Sequence, residues 1–405
     1  MKTPVSQTRS SMRPEDCVVL ICARTRLNSA QVSALEYWGG QIEDWAKLVE
    51  KVGPHRMAAL ILHHLRRNLA ATLPESARYS LHSLAMSEVA LYLRIASTQK
   101  KLINQVLKPS GVRHVFIKGV GLAEQYYPMS GVRPCRDIDV WIDPNEIGNI
   151  WERMQALGYR RLEKPDQTHR IPAHDAARLL PTIDVISSDG AIVEIHSRYD
   201  HSGLTFDPNA IYERSQLIET TLGTIRVPSL EDHFIYICQH HTRHLWSRLR
   251  WLVDLDAFER SPEFDREAVR CRLAGTDLAP TVEACFALTD CLAKPDRLHE
   301  DCGSNEAAEL KHWIVKAAIE GPDAVNNARN LIGSPDFALP WQYSWKHLVK
   351  VKLQQLKPTQ ADYLAIPAAA EHWWIYYLIR PFRLAGRVLA KIFPERKSVP
   401  NEKEA

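Results

Sequence analysis

The sequence predicts an α+β fold in which a core with a mixed sheet lies between two helical regions. Apolar residues recur every three or four positions from Leu27 to Leu107, and again after Pro228, which is typical of amphipathic helices. Between these regions, residues 137–142 alternate with a period of two, as expected of a strand. The five predicted segments are a flexible N-terminus at 1–26, an N-terminal helical region at 27–108, the core at 109–227, a C-terminal helical region at 228–332, and loops with a basic amphipathic tail at 333–405.

The core is predicted to alternate between strands and helices. In chain order, its elements are a strand at 114–117, a helix at 122–127, a strand at 137–142, a helix at 144–157, and strands at 182–186 and 191–198. Gly158 is a usual stop for the second helix, and the sequence Ser188-Asp189-Gly190 favours a tight turn between the last two strands. This order of elements indicates an α/β or α+β domain.

Charge, cysteine spacing and motif content exclude several classes of protein. Lys and Arg number 51 against 48 Asp and Glu, so a chain-wide basic field is absent and nucleic acid is not an expected partner. No Cys-x-x-Cys pair occurs among the eight cysteines, most of which are expected to be buried thiols in a reducing compartment. Because no secretory signal or transmembrane segment is evident, we expect a cytoplasmic protein. The P-loop, kinase and hydrolase-elbow motifs are absent as well.

The segment from Lys118 to Asp143 carries the strongest chemical signal. A predicted strand ends in Lys118-Gly119, a helix begins, and Asp137 and Asp139 follow on the next strand. Two carboxylates one residue apart on a strand point to the same face, where their oxygens suit divalent cations. Gly119 leaves backbone N–H groups at a helix start free to approach a phosphate. These parts together predict a site for a metal ion and a nucleoside triphosphate.

Four stretches of sequence resemble one known family. They are FIKGVGLAEQYYPMSGVRPCRDIDVWID at 116–143, VEIHSRY at 193–199, QHHTRHLWSRLRWLVDLDAF at 239–258, and RPFRL at 380–384. The chain is similar there to the uncharacterised bacterial nucleotidyltransferases, a branch of the DNA polymerase beta-like nucleotidyltransferase superfamily. The resemblance covers roughly residues 40–260, and it implies a nucleotidyltransferase-type core.

The resemblance also implies the chemistry of the site. Asp137, Asp139 and Glu194 would bind the catalytic metals, Mg²⁺ or alternatively Mn²⁺, and Glu194 would help to deprotonate the acceptor. Lys118 and Gly119 would face the triphosphate of the NTP, expected to be ATP. The reaction would transfer a nucleoside monophosphate to an unidentified acceptor and release pyrophosphate. Position 120 is Val, where the superfamily usually has Gly or Ser.

Several further residues have two interpretations. Asp184 is the rival of Glu194 for the third carboxylate, and Arg133 and Arg136 either bind phosphate or neutralise the aspartates. His196 either orients Glu194 or is structural. His240 and His244 lie one helical turn apart, but no Glu stands between them, so substrate contact is favoured over zinc. Asp254 is expected to pair with Arg250, four residues before it.

Two other functions remain open at this point. Asp-x-Asp also binds manganese in glycosyltransferases, which would prefer a UDP-sugar to ATP. A degenerate domain that only binds a nucleotide or a partner protein is the other alternative, and Val120 is the feature that favours it.

The C-terminal tail suggests transient contact with a membrane surface. Pro381 is expected to start a helix that runs to about residue 393. Its cations would form one basic stripe, consisting of Arg380, Arg383, Arg387 and Lys391. Cations beside an apolar stripe suit the boundary between lipid headgroups and water. Trp373 and Trp374 are expected to be exposed in a docking tail and buried in a tail that packs on the domain.

Overall fold

The structure is a computed structural model that describes residues 12–128, 130–162, 177, 180–200, 202–294, 302–332 and, from 339 to 392, all except 355, 360, 361, 364, 365, 367–371 and 373. The described chain before the sheet is helical. Its helices are α1 (Pro14–Ile21), α2 (Ser29–Gly39), α3 (Trp45–His55), α4 (Ala58–Asn68) and α5 (Glu75–Leu102). The last of these continues through a π-helical turn, Ile103–Leu107, and a short turn, Lys108–Ser110.

The flexible N-terminus predicted for residues 1–26 is wrong for α1. Residues 17–21 of this helix are at most 2% exposed, and they pack with α2 and α3. The cause is the apolar run from Cys17 to Ala23, because burying such surface stabilises the fold by roughly 25 cal/mol per Å². Residues 1–11 lie outside the described residues.

A five-stranded mixed sheet follows, which confirms the predicted α+β class. The strands are β1 (His114–Phe116), β2 (Asp137–Ile142), β3 (Arg160–Arg161), β4 (Thr182–Ile186) and β5 (Ile192–His196), in the order β1-β2-β5-β4-β3. The central pair, β2 and β5, is parallel, and the other pairs are antiparallel. Helix α6 (Val120–Tyr126) joins β1 to β2, and α7 (Ile147–Ala156) follows β2.

The two faces of the central strands have different environments. Ile138, Val140 and Ile195 are at most 1% exposed and belong to a core that also includes residues of α5 and α7. Because side chains alternate across a strand, Asp137 and Asp139 point to the opposite face. Hydrophobic burial of one face therefore fixes the register that presents the carboxylates on the other.

After the sheet, the chain adds a hairpin and a second helical region. Helix α8 (Pro208–Arg214) leads into the hairpin of β6 (Gln216–Thr220) and β7 (Gly223–Val227), which the sequence analysis does not predict. The helices that follow are α9 (Leu230–Arg243), α10 (Arg250–Glu259), α11 (Arg266–Leu273), α12 (Ala279–Leu292), α13 (Asn305–Glu320) and α14 (Pro322–Ile332). Cys291 and Cys302 form a disulfide, so these two are not the thiols expected from the sequence.

The tail differs from its prediction in two respects. After α15 (Trp345–Gln354), helix α16 (Ile375–Ile392) contains Pro381 instead of starting at it. Arg380 and Arg383 both form ion pairs with Asp362, at 2.9 and 3.1 Å, so this half of the expected basic stripe is engaged within the chain. Trp374 is 52% exposed, and Trp373 lies outside the described residues. Of the helices that the structure describes, none has the length and apolar character needed to cross a membrane.

Candidate functional site

The parallel pair β2 and β5 brings the predicted acidic residues together. In the register of these strands, Asp139 lies opposite Glu194, and Trp141 lies opposite His196. One ligand atom each from Asp139, Glu194 and His196 lies within 4.8 Å of the others, so the three residues could hold a metal ion. Asp137 is on the same strand face but outside this group of three, whereas the expected set was Asp137, Asp139 and Glu194. Asp184 is opposite Glu194 on β4, one strand further from Asp139.

Asp139 is the most strongly held carboxylate of this group. It is 3% exposed, and its Oδ1 accepts from Lys118 Nζ at 2.7 Å and from His196 Nε2 at 3.1 Å. Burial opposes its charge, but Lys118 and His196 outweigh burial and hold the pKa of Asp139 well below its usual range. His196 Nε2 also lies 3.5 Å from Glu194 Oε2, so one imidazole contacts both carboxylates.

The pKa of Asp137 is shifted in the opposite direction to that of Asp139. Burial, followed by the neighbouring charge of Asp139, raises the pKa of Asp137 to about 6. A carboxyl group in this state ionises more readily when a cation approaches, because a positive charge offsets both causes. A cation close to Asp137 would therefore lower the pKa of this carboxyl group.

The Lys118-Gly119 turn lies directly against the start of β2. Gly119 has φ 67° and ψ −130°, a conformation that residues with a β-carbon rarely adopt, and a β-carbon there would lie 3.5 Å from the carbonyl oxygen of Asp137. Val120 is fully buried in the core on the far side of the sheet. The turn can therefore offer a ligand its backbone and Lys118, and nothing from residue 120.

Arg133, for which the sequence leaves phosphate binding and neutralisation of the aspartates open, forms its side-chain contacts within the fold. It is 5% exposed, and its Nε and Nη2 donate to Asp254 at 2.7 and 3.0 Å, while Nη1 donates to the carbonyl of Gly119 at 3.3 Å. Asp254 thus pairs with Arg133, 121 positions away, and not with Arg250 as predicted. Both side chains of the pair are buried, and the Nη1 hydrogen bond connects the pair to the turn at Gly119.

A chain of hydrogen bonds joins this pair to Lys118. The ammonium group of Lys118 can only donate, so His240 Nε2, 3.2 Å away, accepts. His240 then carries its proton on Nδ1, which donates to Nδ1 of His241 at 3.2 Å, and His241 Nε2 donates to Asp254 at 3.1 Å. Burial lowers the pKa of both histidines, that of His241 to about 4, and keeps them neutral as this chain requires.

His240 and His244 differ in their hydrogen-bond contacts. The two rings lie 4.6 Å apart between centroids, and both residues line the cleft in front of Asp139. Both residues are half-buried, and burial lowers the pKa of both well below the usual value. His240 in addition accepts a hydrogen bond from Lys118 Nζ. Both could contact a substrate as neutral rings, as the sequence predicts.

The cleft has a volume of about 350 Å³, large enough for a small-molecule substrate. Sequence reasoning identifies Lys118, Gly119, the acidic residues and Arg136 in its lining. It misses the cations Arg198, Arg243, Arg248 and Arg250. The signal for the last three is the density of arginine in the stretch 243–250, which sequence alone does not assign to a face.

Comparisons with known proteins found one family and one solved structure to report. Residues 41–294, more than half of the chain, match the family model described as uncharacterised nucleotidyltransferase. A solution structure of the antibiotic-resistance factor ANT(2'')-Ia matches at 12% identity over 58% of this chain and 98% of that chain, with a TM-score of 0.25. Residue roles do not transfer at that level of similarity. No curated protein sequence matches the chain.

Proposed function

Since the chain belongs to the uncharacterised nucleotidyltransferase family, we propose that it transfers a nucleoside monophosphate from an NTP, ATP in the first instance, to an acceptor that remains to be identified. The observation that carries this proposal is the pairing of Asp139 with Glu194 on parallel strands, in front of a buried lysine. Carboxylate oxygens at this spacing suit Mg²⁺, with Mn²⁺ as the alternative.

The donor set fits the metal that this family implies. Asp139 and Glu194 would hold it, with Asp137 beside them, and His196 contacts both of the first two carboxylates. The metal when bound supplies Lewis-acid stabilisation of the charge on the attacking and departing oxygens. Mg²⁺ prefers oxygen to nitrogen, so we assign His196 the role of orienting Glu194 and Asp139.

Glu194, Lys118 and Gly119 would then have separate roles in the nucleotidyl transfer. An acceptor hydroxyl gives its proton to Glu194, whose side chain is 31% exposed, and its oxygen forms the bond to the α-phosphorus. The bond from the α-phosphorus to the bridging oxygen breaks, and pyrophosphate leaves. Lys118 keeps a positive charge beside the reacting phosphate, since Asp139 outweighs burial and raises the pKa of Lys118. The turn at Gly119 brings backbone close to the same phosphate.

The test measures binding before turnover, because the acceptor is unknown. Calorimetry with purified protein should show ATP binding that depends on Mg²⁺ or Mn²⁺, and Asp139→Ala should abolish that dependence. Pyrophosphate release is then measured against a panel of alcohols, sugars and proteins. Unchanged metal-dependent binding in Asp139→Ala would contradict the role of that residue.

Two comparisons sharpen the assignment. Glu194→Gln should weaken metal-dependent binding more than Asp184→Asn, because Asp184 lies one strand further from Asp139. The reverse order would make Asp184 the third carboxylate. Preference for a UDP-sugar over ATP would point to a glycosyltransferase. Nucleotide binding without transfer to any acceptor would point to a binding protein.

A further inference from the structure

Four arginines from three segments of the chain lie close together, three of them in the lining of the cleft and Arg56 beside those three. They are Arg56, Arg136, Arg248 and Arg250. His55 Nδ1 accepts from the backbone N–H of Leu249 at 3.2 Å, so the end of α3 lies against the start of α10. Arg250 Nη1 donates to the carbonyl of Pro134 at 2.8 Å, so the start of α10 also lies against the loop that carries Arg136. The three segments are therefore held together by specific contacts.

Their positive charges are not balanced by neighbouring carboxylates. Among the residues that the structure describes, none of the four arginines forms an ion pair within 4.0 Å. Glu88 and Asp137 face the cluster from further away, and Glu88 Oε2 accepts instead from the backbone N–H of Ala58 at 3.1 Å. Nε of Arg250 is buried without a hydrogen-bond partner. Burial and repulsion by its neighbours lower the pKa of Arg248 to about 10.

The backbone around the cluster is also unusual. Helix α10 begins at Arg250 with no side-chain cap and no acidic residue in its first turn, although the positive end of a helix favours anions over cations. Over the described ranges, the non-glycine residues with positive φ are Arg56, Leu245 and Trp246, and all of them lie in the segments that supply the arginines. Strained backbone and uncompensated charge thus coincide at one place.

We propose that this arginine cluster binds the β- and γ-phosphates of the NTP. The inference rests on the proposed function and names the residues that hold the triphosphate there. Guanidinium groups donate two parallel N–H bonds to phosphate oxygens, and arginine suits such sites better than lysine for this reason. Asp137 and three of the arginines line the same cleft. The α-phosphate would therefore face the carboxylates, and the β- and γ-phosphates would extend over the arginine cluster.

The test is a calorimetric comparison of three probes: inorganic tripolyphosphate, ATP and AMP. Arg248→Gln is the first variant, because the side chain of Arg248 makes no hydrogen bond or ion pair with any residue that the structure describes. It should weaken binding of tripolyphosphate and of ATP by about tenfold or more, and binding of AMP by less than twofold. Arg248→Lys should recover only part of the lost affinity, since lysine restores the charge but not the two parallel N–H donors of the guanidinium group.

Arg260→Gln is the matched control. Arg260 lies at the opposite end of α10 and pairs with Asp256 at 2.9 Å, so its loss should leave all three affinities unchanged. Arg56→Gln is the second cluster variant, and it should reproduce the selective loss from a different segment. Unfolding curves of each variant show whether the fold is retained.

The outcomes separate this inference from the proposed function. If the wild-type protein binds ATP with metal and Arg248→Gln binds it equally well, the cluster assignment is wrong and the proposed function stands. If tripolyphosphate binds through the cluster but ATP does not bind, the cluster is a polyphosphate site and the proposed function fails. An equal loss of AMP and ATP affinity in Arg248→Gln would overturn the assignment to the β- and γ-phosphates.

Discussion

Replacement of Asp254 by asparagine should destabilise the protein strongly. Four donors converge on this carboxylate: Nε and Nη2 of Arg133 at 2.7 and 3.0 Å, the hydroxyl of Tyr127 at 2.5 Å, and Nε2 of His241 at 3.1 Å. Asparagine has nearly the same shape, but one of its two polar atoms is a donor. That donor would face the donors of Arg133 or His241, and Arg133 would lose its counter-charge.

The magnitude follows from the burial of both partners. Asp254 is 1% exposed and Arg133 is 5% exposed, so solvent cannot replace the lost interactions. Breaking a buried ion pair by removing one partner costs roughly 3–5 kcal/mol. The orphaned hydrogen bonds are part of the same cost, so we expect about 4 kcal/mol, which is about a thousandfold in the folding equilibrium.

Urea unfolding followed by circular dichroism measures this loss. The midpoint should fall while the slope stays unchanged, because the surface exposed on unfolding is the same. Glu283→Gln is the control, because it breaks the ion pair between Glu283 and Arg270. The side chain of Glu283 is 48% exposed and that of Arg270 is 42% exposed, so the loss of this pair should lower the free energy of unfolding by about 0–1 kcal/mol. A loss below about 1 kcal/mol in Asp254→Asn would refute the reasoning that this network holds the fold. Weaker metal-dependent ATP binding is expected as well, since Lys118 is held through the same network.

Three other predictions concern the turn, the pH dependence and the tail. Gly119→Ala should cost about 1–3 kcal/mol of stability and weaken ATP binding, because its φ of 67° disfavours a β-carbon; an unchanged melting temperature would contradict this. Burial lowers the pKa of His55 to about 3, so below pH 6.5 the unfolded chain binds a proton that the folded chain does not bind. Between pH 6.5 and 5 the wild type should therefore lose about 1.5 kcal/mol more stability than His55→Gln. Equal losses of the two proteins in urea unfolding at these pH values would contradict this. Deleting residues 372–405 should abolish flotation with anionic vesicles if the tail docks on membranes, and unchanged flotation would exclude this.

The sheet is predictable from sequence where one face is buried. The alternation at 137–142 and at 182–186 gives the bounds of β2 and β4 as the structure has them. Helix α1 is missed because an apolar run of only seven residues does not indicate by itself which elements will cover it. The burial of α1 depends on its packing with α2 and α3. The hairpin of β6 and β7 is missed because its strands are half exposed and carry a weak alternation.

The site is predictable only in its local parts. The Asp-x-Asp pattern places Asp137 and Asp139 on one face of a strand, whereas Glu194 is suggested by the resemblance of VEIHSRY to the family. Asp254 shows the limit, since spacing along a helix favours Arg250 as its partner. The tertiary fold instead brings in Arg133, whose fork fits the carboxylate in a buried position.

The charges around the cleft divide into two systems with different consequences for stability. Arg133 and Lys118 are each neutralised by a buried carboxylate, so removing either partner should destabilise the fold. Arg248 is not neutralised, and it is crowded by Arg136 and Arg250. Its charge therefore opposes folding in the absence of a ligand, as is common at sites shaped for function.

Arg248→Gln should consequently stabilise the ligand-free protein while it weakens the binding of ATP. Relief of repulsion at one half-buried position is expected to raise the free energy of unfolding by about 0.5–2 kcal/mol. Urea unfolding without nucleotide measures this gain, and high salt should reduce it because salt screens the repulsion. Tripolyphosphate should reverse the order, since it stabilises the wild type more than the variant. A variant that is less stable than the wild type without ligand would mean that Arg248 holds the fold, and its effect on binding would then have a structural cause.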